Sequence, residues 1–144
     1  MTSAQLAQAS MLFEVAWETC SQIGGIYTVI KTKAPNMVER WGSSYYLVGP
    51  DHQHTSALEF EEAPVPEHLK PVLEAMANQG TPCRFGTWLT DGRPSVILIN
   101  YKGRYPRLGD DKYFLWRDNG ISLQGEDGEV DAVVAFGFAV TELL

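Results

Sequence analysis

The chain has 144 residues, which is the length of one domain or of part of one. It is 44% hydrophobic and 20% charged, an ordinary balance for a globular protein that excludes a low-complexity chain. Its formal net charge of −7 argues against nucleic acid as a partner, and its apolar runs fall short of the about 18 residues that a membrane span needs.

The first predicted elements are a strand and a helix that meet at two adjacent glycines. Residues 1–10 are predicted to be a flexible start, and they lack the basic segment of a secretory signal, so we expect a cytoplasmic protein. The apolar run Leu12–Trp17 predicts a strand buried on both faces. After Gly24–Gly25, apolar residues at helical spacing predict a helix that Pro35 ends or interrupts. The residues of this predicted apolar face are Ile26, Val29 and Ile30.

The rest of the chain alternates further strands and helices. In chain order we predict a strand at 45–48 stopped by Gly49–Pro50, an irregular segment 51–65, a helix 66–80, strands 83–89 and 96–99, a long loop 101–127 with one short helix around 112–117, and a buried helix 129–144. This order predicts an α/β fold whose sheet is largely parallel at its start.

The glycine pair is the strongest candidate for a ligand site. In open α/β sheets, ligands bind beyond the carboxyl ends of the strands, where the junction at Gly24 and Gly25 is expected. Glycine has no Cβ, so a diphosphate can come close to the backbone N–H groups, and the helix N-terminus favours an anion. By spacing alone a tight turn is the commoner meaning of two glycines, and both interpretations stay open.

A longer pattern around the glycines resembles a known family. The pattern consists of the segments LFEVAWETCSQIGGIYTVIKTKA, WGSSYYLVGP, KPVLEAMANQG, RFGTWLTDGRPSVILIN and DAVVAFGF. From Leu12 onward the chain is similar to the N-terminal portion of the animal and fungal type of glycogen synthase, which is glycosyltransferase family 3. The resemblance implies the two-domain GT-B fold. Residues 11–144 would then be part of its Rossmann-like N-terminal domain, with the second domain absent from this chain.

The resemblance also implies a reaction and its ligands. Such enzymes transfer glucose, with retention of configuration, from a nucleotide-sugar donor to an α-1,4-glucan acceptor in glycogen biosynthesis. The usual donor is UDP-glucose, although the sequence leaves UDP and ADP open. The family uses no metal ion and no cofactor. The resemblance leaves the oligomeric state of the full-length protein open, with a homo-oligomer as one option. Gly24 and Gly25 match the glycines that contact the donor in the family.

The sequence departs from the family pattern in three ways. Gln22 stands where the family usually has a basic residue that meets donor phosphate, and a neutral amide makes a weaker bond than a charged group. Val130 stands where an Asn is common, which removes a sugar contact. The paired glutamates and basic residues of the second domain are missing, so we assign no catalytic residue in this chain.

We therefore predict that the 144 residues alone are inactive, because the departing diphosphate must be met by preorganised positive groups. The alternative is a non-catalytic, stand-alone remnant that acts as a binding or regulatory module. Such a remnant would associate with another subunit through the apolar surface left by the missing half. A cut piece of a larger enzyme would instead expose Val133, Phe136 and Val140 and should aggregate.

Cysteines and histidines offer weaker candidates. Cys20 and Cys83 lack metal-ligand spacing, and a disulfide between them stays open, although reduced thiols are the commoner state in a cytosolic chain. His52 and His54 would share one side of a strand, as metal ligands do. They follow a Gly-Pro pair, however, so we interpret them as part of a solvated loop and predict no metal site.

Two charged groups complete the candidates. Glu14 and Glu18 flank Trp17 at the end of the first strand, and we expect them to bind backbone groups or a basic partner rather than to form a catalytic pair. Residues 101–117 mix basic and aromatic side chains, a combination that can hold sugars or single-stranded nucleic acid. Acidic neighbours dilute its charge, so we favour a structural loop over a glucan or subunit contact.

Overall fold

The computed structural model describes residues 10–52, 58–123 and 127–144, so residues 1–9 of the predicted flexible start lie outside it. Within these ranges five strands form one mixed sheet in the order β1-β2-β5-β4-β3. Their bounds are β1 Leu12–Val15, β2 Tyr45–Pro50, β3 Phe60–Glu62, β4 Cys83–Trp88 and β5 Ser95–Ile99. β1 and β2 are parallel, whereas β3 and β4 are antiparallel. The predicted α/β class is confirmed, and the arrangement is consistent with a Rossmann-like fold.

Helices join and flank these strands. Their bounds are α1 Gly25–Trp41, α2 Lys70–Asn78, α3 Leu108–Asn119 and α4 Gly128–Leu143, with 3-10 turns at Gly42–Ser44 and Tyr101–Arg107. The chain divides into two compact units, with the divisions after Pro66, after Cys83 and after Leu98. The first unit contains α1 and most of the sheet, and the second contains α2, α3 and α4.

The first unit is built around α1 and one face of the sheet. Tyr27 of α1 packs edge-on against Trp88 of β4, with ring centroids 5.5 Å apart. The core cluster comprises Cys20, Tyr27, Ile30, Tyr45, Leu47, Phe60, Trp88, Val96 and Leu98. Because α1 is held along the sheet by this cluster, its first residue is held at the end of β1.

The buried face of α1 differs from the predicted one. Tyr27, Ile30 and Ala34 are buried, whereas Ile26 and Val29 are 54% and 56% exposed. The aromatic ring of Tyr27 offers more apolar surface than either aliphatic side chain, so it occupies the core position. Pro35 lies inside the helix and does not end it. Later residues of α1 pack against the core cluster, and this packing outweighs the lost backbone hydrogen bond.

Three predictions about the strands also need correction. β1 stops at Val15 and lies at the edge of the sheet, so Val15 is exposed rather than buried. β2 continues through Gly49–Pro50, which we expected to stop it, and all six of its residues are buried. The segment predicted to be irregular contains β3, in which the buried Phe60 is followed by the exposed Glu61 and Glu62. A strand of three residues with one apolar side chain is too short to show the alternation of apolar and polar residues that predicts a strand.

In the second unit, most of the predicted long loop is helical. The side chain of Asn100 accepts a hydrogen bond from the Lys102 N–H at 3.2 Å, which starts the 3-10 turn that leads into α3. Acidic residues lie in the first turn of α3, where they suit the helix dipole, and Gly120 ends it in the left-handed conformation. The short helix predicted at 112–117 is present but longer.

The basic residues of this region have a structural role. Arg104 donates two hydrogen bonds to Asp111, at 2.8 and 2.7 Å, and it also pairs with Glu142 of α4. Arg107 lies 3.5 Å from the same glutamate. The favoured structural interpretation therefore holds for these two arginines, although the segment is a helix rather than a loop.

Candidate functional site

The candidate site is the loop between β1 and α1, residues 16–24, which we call the glycine loop. Its first half is anchored to the sheet: the Thr19 hydroxyl donates to the Ala16 carbonyl at 3.0 Å, and the Ala16 N–H donates to the Val48 carbonyl at 2.9 Å. A Cβ on Gly49 would come within 2.6 Å of Thr19 Cβ. Gly49 therefore makes room for the loop, which explains a glycine inside a buried strand.

The second half of the junction faces solvent. Thr19, Cys20 and Ser21 are buried, and so is Tyr27 at the other side. The residues between these anchors are all exposed, namely Gln22, Ile23, Gly24, Gly25 and Ile26. The structure therefore brings together the three predicted site residues Gln22, Gly24 and Gly25 on one accessible stretch at the carboxyl end of β1.

A carboxylate from the loop itself caps α1. Glu18 Oε2 accepts a hydrogen bond from the Tyr27 backbone N–H at 2.7 Å, within the first turn of the helix. Glu14 pairs with Lys33 at 2.9 Å. The expectation that these two glutamates bind a backbone group and a basic partner is confirmed, and the role of Glu18 at the helix start is a feature that sequence spacing alone did not locate.

The two glycines have different surroundings. A Cβ on Gly24 would lie 3.2 Å from Glu18 Oε1, which is tighter than most Cβ contacts. A Cβ on Gly25 would meet no atom within 4 Å, and Gly25 is the first residue of α1. The contacts of the folded chain account for a glycine at position 24. They do not account for one at position 25, the first residue of α1.

The end of β2 lies beside this loop because β1 and β2 are parallel neighbours. Trp17 of the loop packs edge-on against His52, with ring centroids 5.2 Å apart. Asp51 is buried and pairs with Arg84 of β4 at 3.3 Å, and Arg84 also binds Glu62 at 2.9 Å. Sequence reasoning did not single out Asp51 or Arg84, since they are distant in the chain and meet only through the sheet.

Tyr27 links the site to a second acidic residue. The Tyr27 hydroxyl donates a hydrogen bond to the Glu59 carboxylate. The same hydroxyl oxygen accepts a hydrogen bond from Lys31 Nζ at 3.3 Å. Burial, together with the hydrogen bond to Glu59, raises the pKa of Tyr27. The phenol is therefore protonated at neutral pH and serves as a donor that fixes the start of α1.

The remaining candidates are resolved in part. Among residues 10–52, 58–123 and 127–144, no group of three metal-ligating side chains is present, while His54 lies outside these ranges. Cys20 and Cys83 are not joined in a disulfide, in line with the favoured interpretation. In the part of the chain that the structure describes, no helix is both long and apolar enough to cross a membrane.

Fold and site together define an α/β protein with a glycine loop between its first strand and first helix, at the carboxyl end of parallel strands. A family model described as glycogen synthase matches residues 14–144. The chain belongs to the glycogen synthase family, as its resemblance predicted.

Curated relatives agree with this membership. Glycogen (starch) synthase of human liver is 36% identical over 88% of this chain and 18% of its own length. The Neurospora crassa protein is 36% identical over 93% of this chain and 19% of its own length, and the Dictyostelium discoideum protein 38% identical over 94% and 15%. The chain thus spans less than a fifth of these three relatives.

Proposed function

We propose that this chain forms the donor-binding side of a retaining glucosyltransferase of the GT-B type. In this proposal the glycine loop holds the diphosphate of a nucleotide-glucose donor, with UDP-glucose favoured, and the acceptor is an α-1,4-glucan of glycogen biosynthesis. Residues 11–144 act as part of a Rossmann-like N-terminal domain of a cytoplasmic enzyme. Family membership supports the class of reaction, and the relatives' names support glycogen as its product.

The observation that carries the proposal is the open backbone at Gly25. A diphosphate is recognised by backbone N–H groups at a helix start when no side chain blocks them. Gly25 is exposed, begins α1, and has no atom within 4 Å of the place where a Cβ would be. Glycine at this position leaves the backbone at the helix start open to a ligand, and in this family member we propose that the ligand is a nucleotide diphosphate.

Charge at the loop sets the strength of binding. Residues 16–26 contain no Lys or Arg, and Gln22 offers only a neutral amide. A hydrogen bond to a charged donor is about twice as strong as one between neutral groups. We therefore propose that this loop binds the donor weakly by itself. The chain alone is proposed to be inactive, because the positive groups that stabilise a leaving diphosphate lie elsewhere in the enzyme.

The alternative is a stand-alone binding or regulatory module that associates with another subunit through an apolar surface. Of the three α4 residues that a cut piece was predicted to expose, Val133 is 53% exposed, whereas Phe136 and Val140 are buried. The burial of Phe136 and Val140 reduces the apolar surface that α4 offers to a partner, so we favour the donor-binding proposal.

Titration of UDP-glucose and of ADP-glucose into the chain, followed by amide NMR shifts, tests the proposal. We expect saturable shifts at Gly24 and Gly25, with the tighter ligand identifying the donor base. Replacement of Gln22 by Lys is expected to tighten binding about tenfold, because the new bond to phosphate is charge-assisted. Saturable shifts elsewhere, with Gly24 and Gly25 unmoved in both proteins, would contradict donor binding at this loop.

A further inference from the structure

One side chain closes the glycine loop. The bond from the Tyr27 N–H to Glu18 Oε2, 2.7 Å long, joins residues nine apart in the chain. Between its two ends lie the exposed residues 22–26. A hydrogen bond to a carboxylate is stronger than one between neutral groups, so this contact restricts the shape of the exposed stretch.

The same carboxylate lies against Gly24, the first residue of the glycine pair. Its second oxygen, Oε1, is 3.2 Å from the place that a Cβ of Gly24 would take. A diphosphate held by the exposed backbone there would come close to this negative charge. Two like charges at such separations repel each other even in water, and residues 16–26 carry no Lys or Arg to compensate.

We propose that Glu18 is a positioning residue that sets how tightly the glycine loop holds an anionic ligand. The length of its side chain keeps the loop in the shape that binds, and its charge limits the affinity for diphosphate. This inference rests on the proposed function, since it concerns the same loop and the same ligand class.

Two substitutions separate length from charge. Glu18→Gln keeps the length and the acceptor oxygen but removes the charge, whereas Glu18→Asp keeps the charge and is one methylene too short to reach the Tyr27 N–H. With UDP as the probe, we expect Glu18→Gln to bind about fivefold more tightly than the unmodified chain, and Glu18→Asp about tenfold more weakly. Uridine, which has no phosphate, is expected to bind all three proteins equally.

Amide hydrogen exchange reports the loop shape without any ligand. The Tyr27 amide is expected to exchange about tenfold faster in Glu18→Asp and only about twofold faster in Glu18→Gln, whose neutral oxygen still reaches the N–H but makes a weaker bond. Glu39→Gln is the matched control, because Glu39 is an exposed glutamate of α1. This control is expected to leave the exchange rate of the Tyr27 amide and the affinity for UDP unchanged.

Each outcome decides the inference. Equal UDP affinity in all four proteins, or parallel changes for UDP and uridine, would show that Glu18 serves the fold and not the anion. If Glu18→Gln exchanges as fast as Glu18→Asp at Tyr27, side-chain length does not hold the loop and the inference fails. If UDP binds none of the proteins, the proposed function fails for the isolated chain. The claim on loop shape then stands or falls on exchange alone, and the claim on anion affinity is overturned.

Discussion

The two cysteines differ in burial, a difference that their sequence contexts did not indicate. Cys20 has no exposed surface, and desolvation by burial raises the pKa of its thiol far above the usual range. Cys83 is half-buried at the start of β4. Because the thiolate is the reactive form, a raised pKa and complete burial both protect Cys20.

We expect a chromogenic aromatic disulfide, applied to the folded chain near pH 8, to react rapidly with one thiol per molecule, which is Cys83. Denaturant should release the second thiol. Cys83→Ser is the control. It should abolish the rapid reaction, and denaturant should still release the one remaining thiol. Rapid reaction of two thiols in the folded protein would contradict the burial of Cys20.

At the scale of elements, the second unit depends on a close approach of two backbone segments. A Cβ on Gly103, in the 3-10 turn before α3, would overlap the carbonyl oxygen of Gly80, which follows α2. Gly80 itself has φ +92°, a left-handed conformation that favours glycine. Because the clash would involve backbone atoms of Gly80, no side-chain rotation could relieve it.

Gly103→Ala is therefore expected to lower the free energy of unfolding by about 3 kcal/mol, at the upper end of the cost of overpacking. Gly109→Ala is the matched control, because a Cβ there would meet nothing within 4 Å. This control is expected to change the free energy by less than about 0.5 kcal/mol. Urea unfolding of both variants measures the difference, and equal midpoints would refute the close approach.

Periodicity predicted most elements but not which side of a helix is buried. In α1 the apolar residues at helical spacing included Ile26 and Val29, which are exposed, and omitted Tyr27, which is buried. A pattern of aliphatic residues carries no information about an aromatic ring that reaches Trp88 across the sheet. The extent of the helical structure in 101–119 was underestimated, since only a short helix around 112–117 was predicted. Mixed aromatic and charged residues show no apolar stripe there, and their ion pairs join distant segments.

At the scale of the whole molecule, the site was more predictable than its support. Gln22, Gly24 and Gly25 were identified from the sequence, and the structure places them on one exposed stretch. The residues that hold this stretch, Glu18 and Tyr27, act through a bond between positions nine apart, which no short motif encodes. Local motifs thus marked the exposed stretch proposed to bind a ligand, while the shape of the loop depended on tertiary contacts.

The central claim is that glycine at position 25 is needed for ligand binding and not for folding. Gly25→Ala is expected to keep or raise the free energy of unfolding, by up to about 1 kcal/mol, because alanine suits a helix better. The same substitution is expected to weaken UDP-glucose binding at least about tenfold, since its methyl group would occupy the space of the diphosphate.

The measurement that tests this claim most directly is calorimetric titration of UDP-glucose into the unmodified chain, Gly25→Ala and the control Gly109→Ala, with urea unfolding of the same samples. We expect binding to weaken at least about tenfold in Gly25→Ala alone, while none of the three proteins loses stability. Unchanged affinity in Gly25→Ala, or a loss of stability that accompanies the loss of binding, would contradict it.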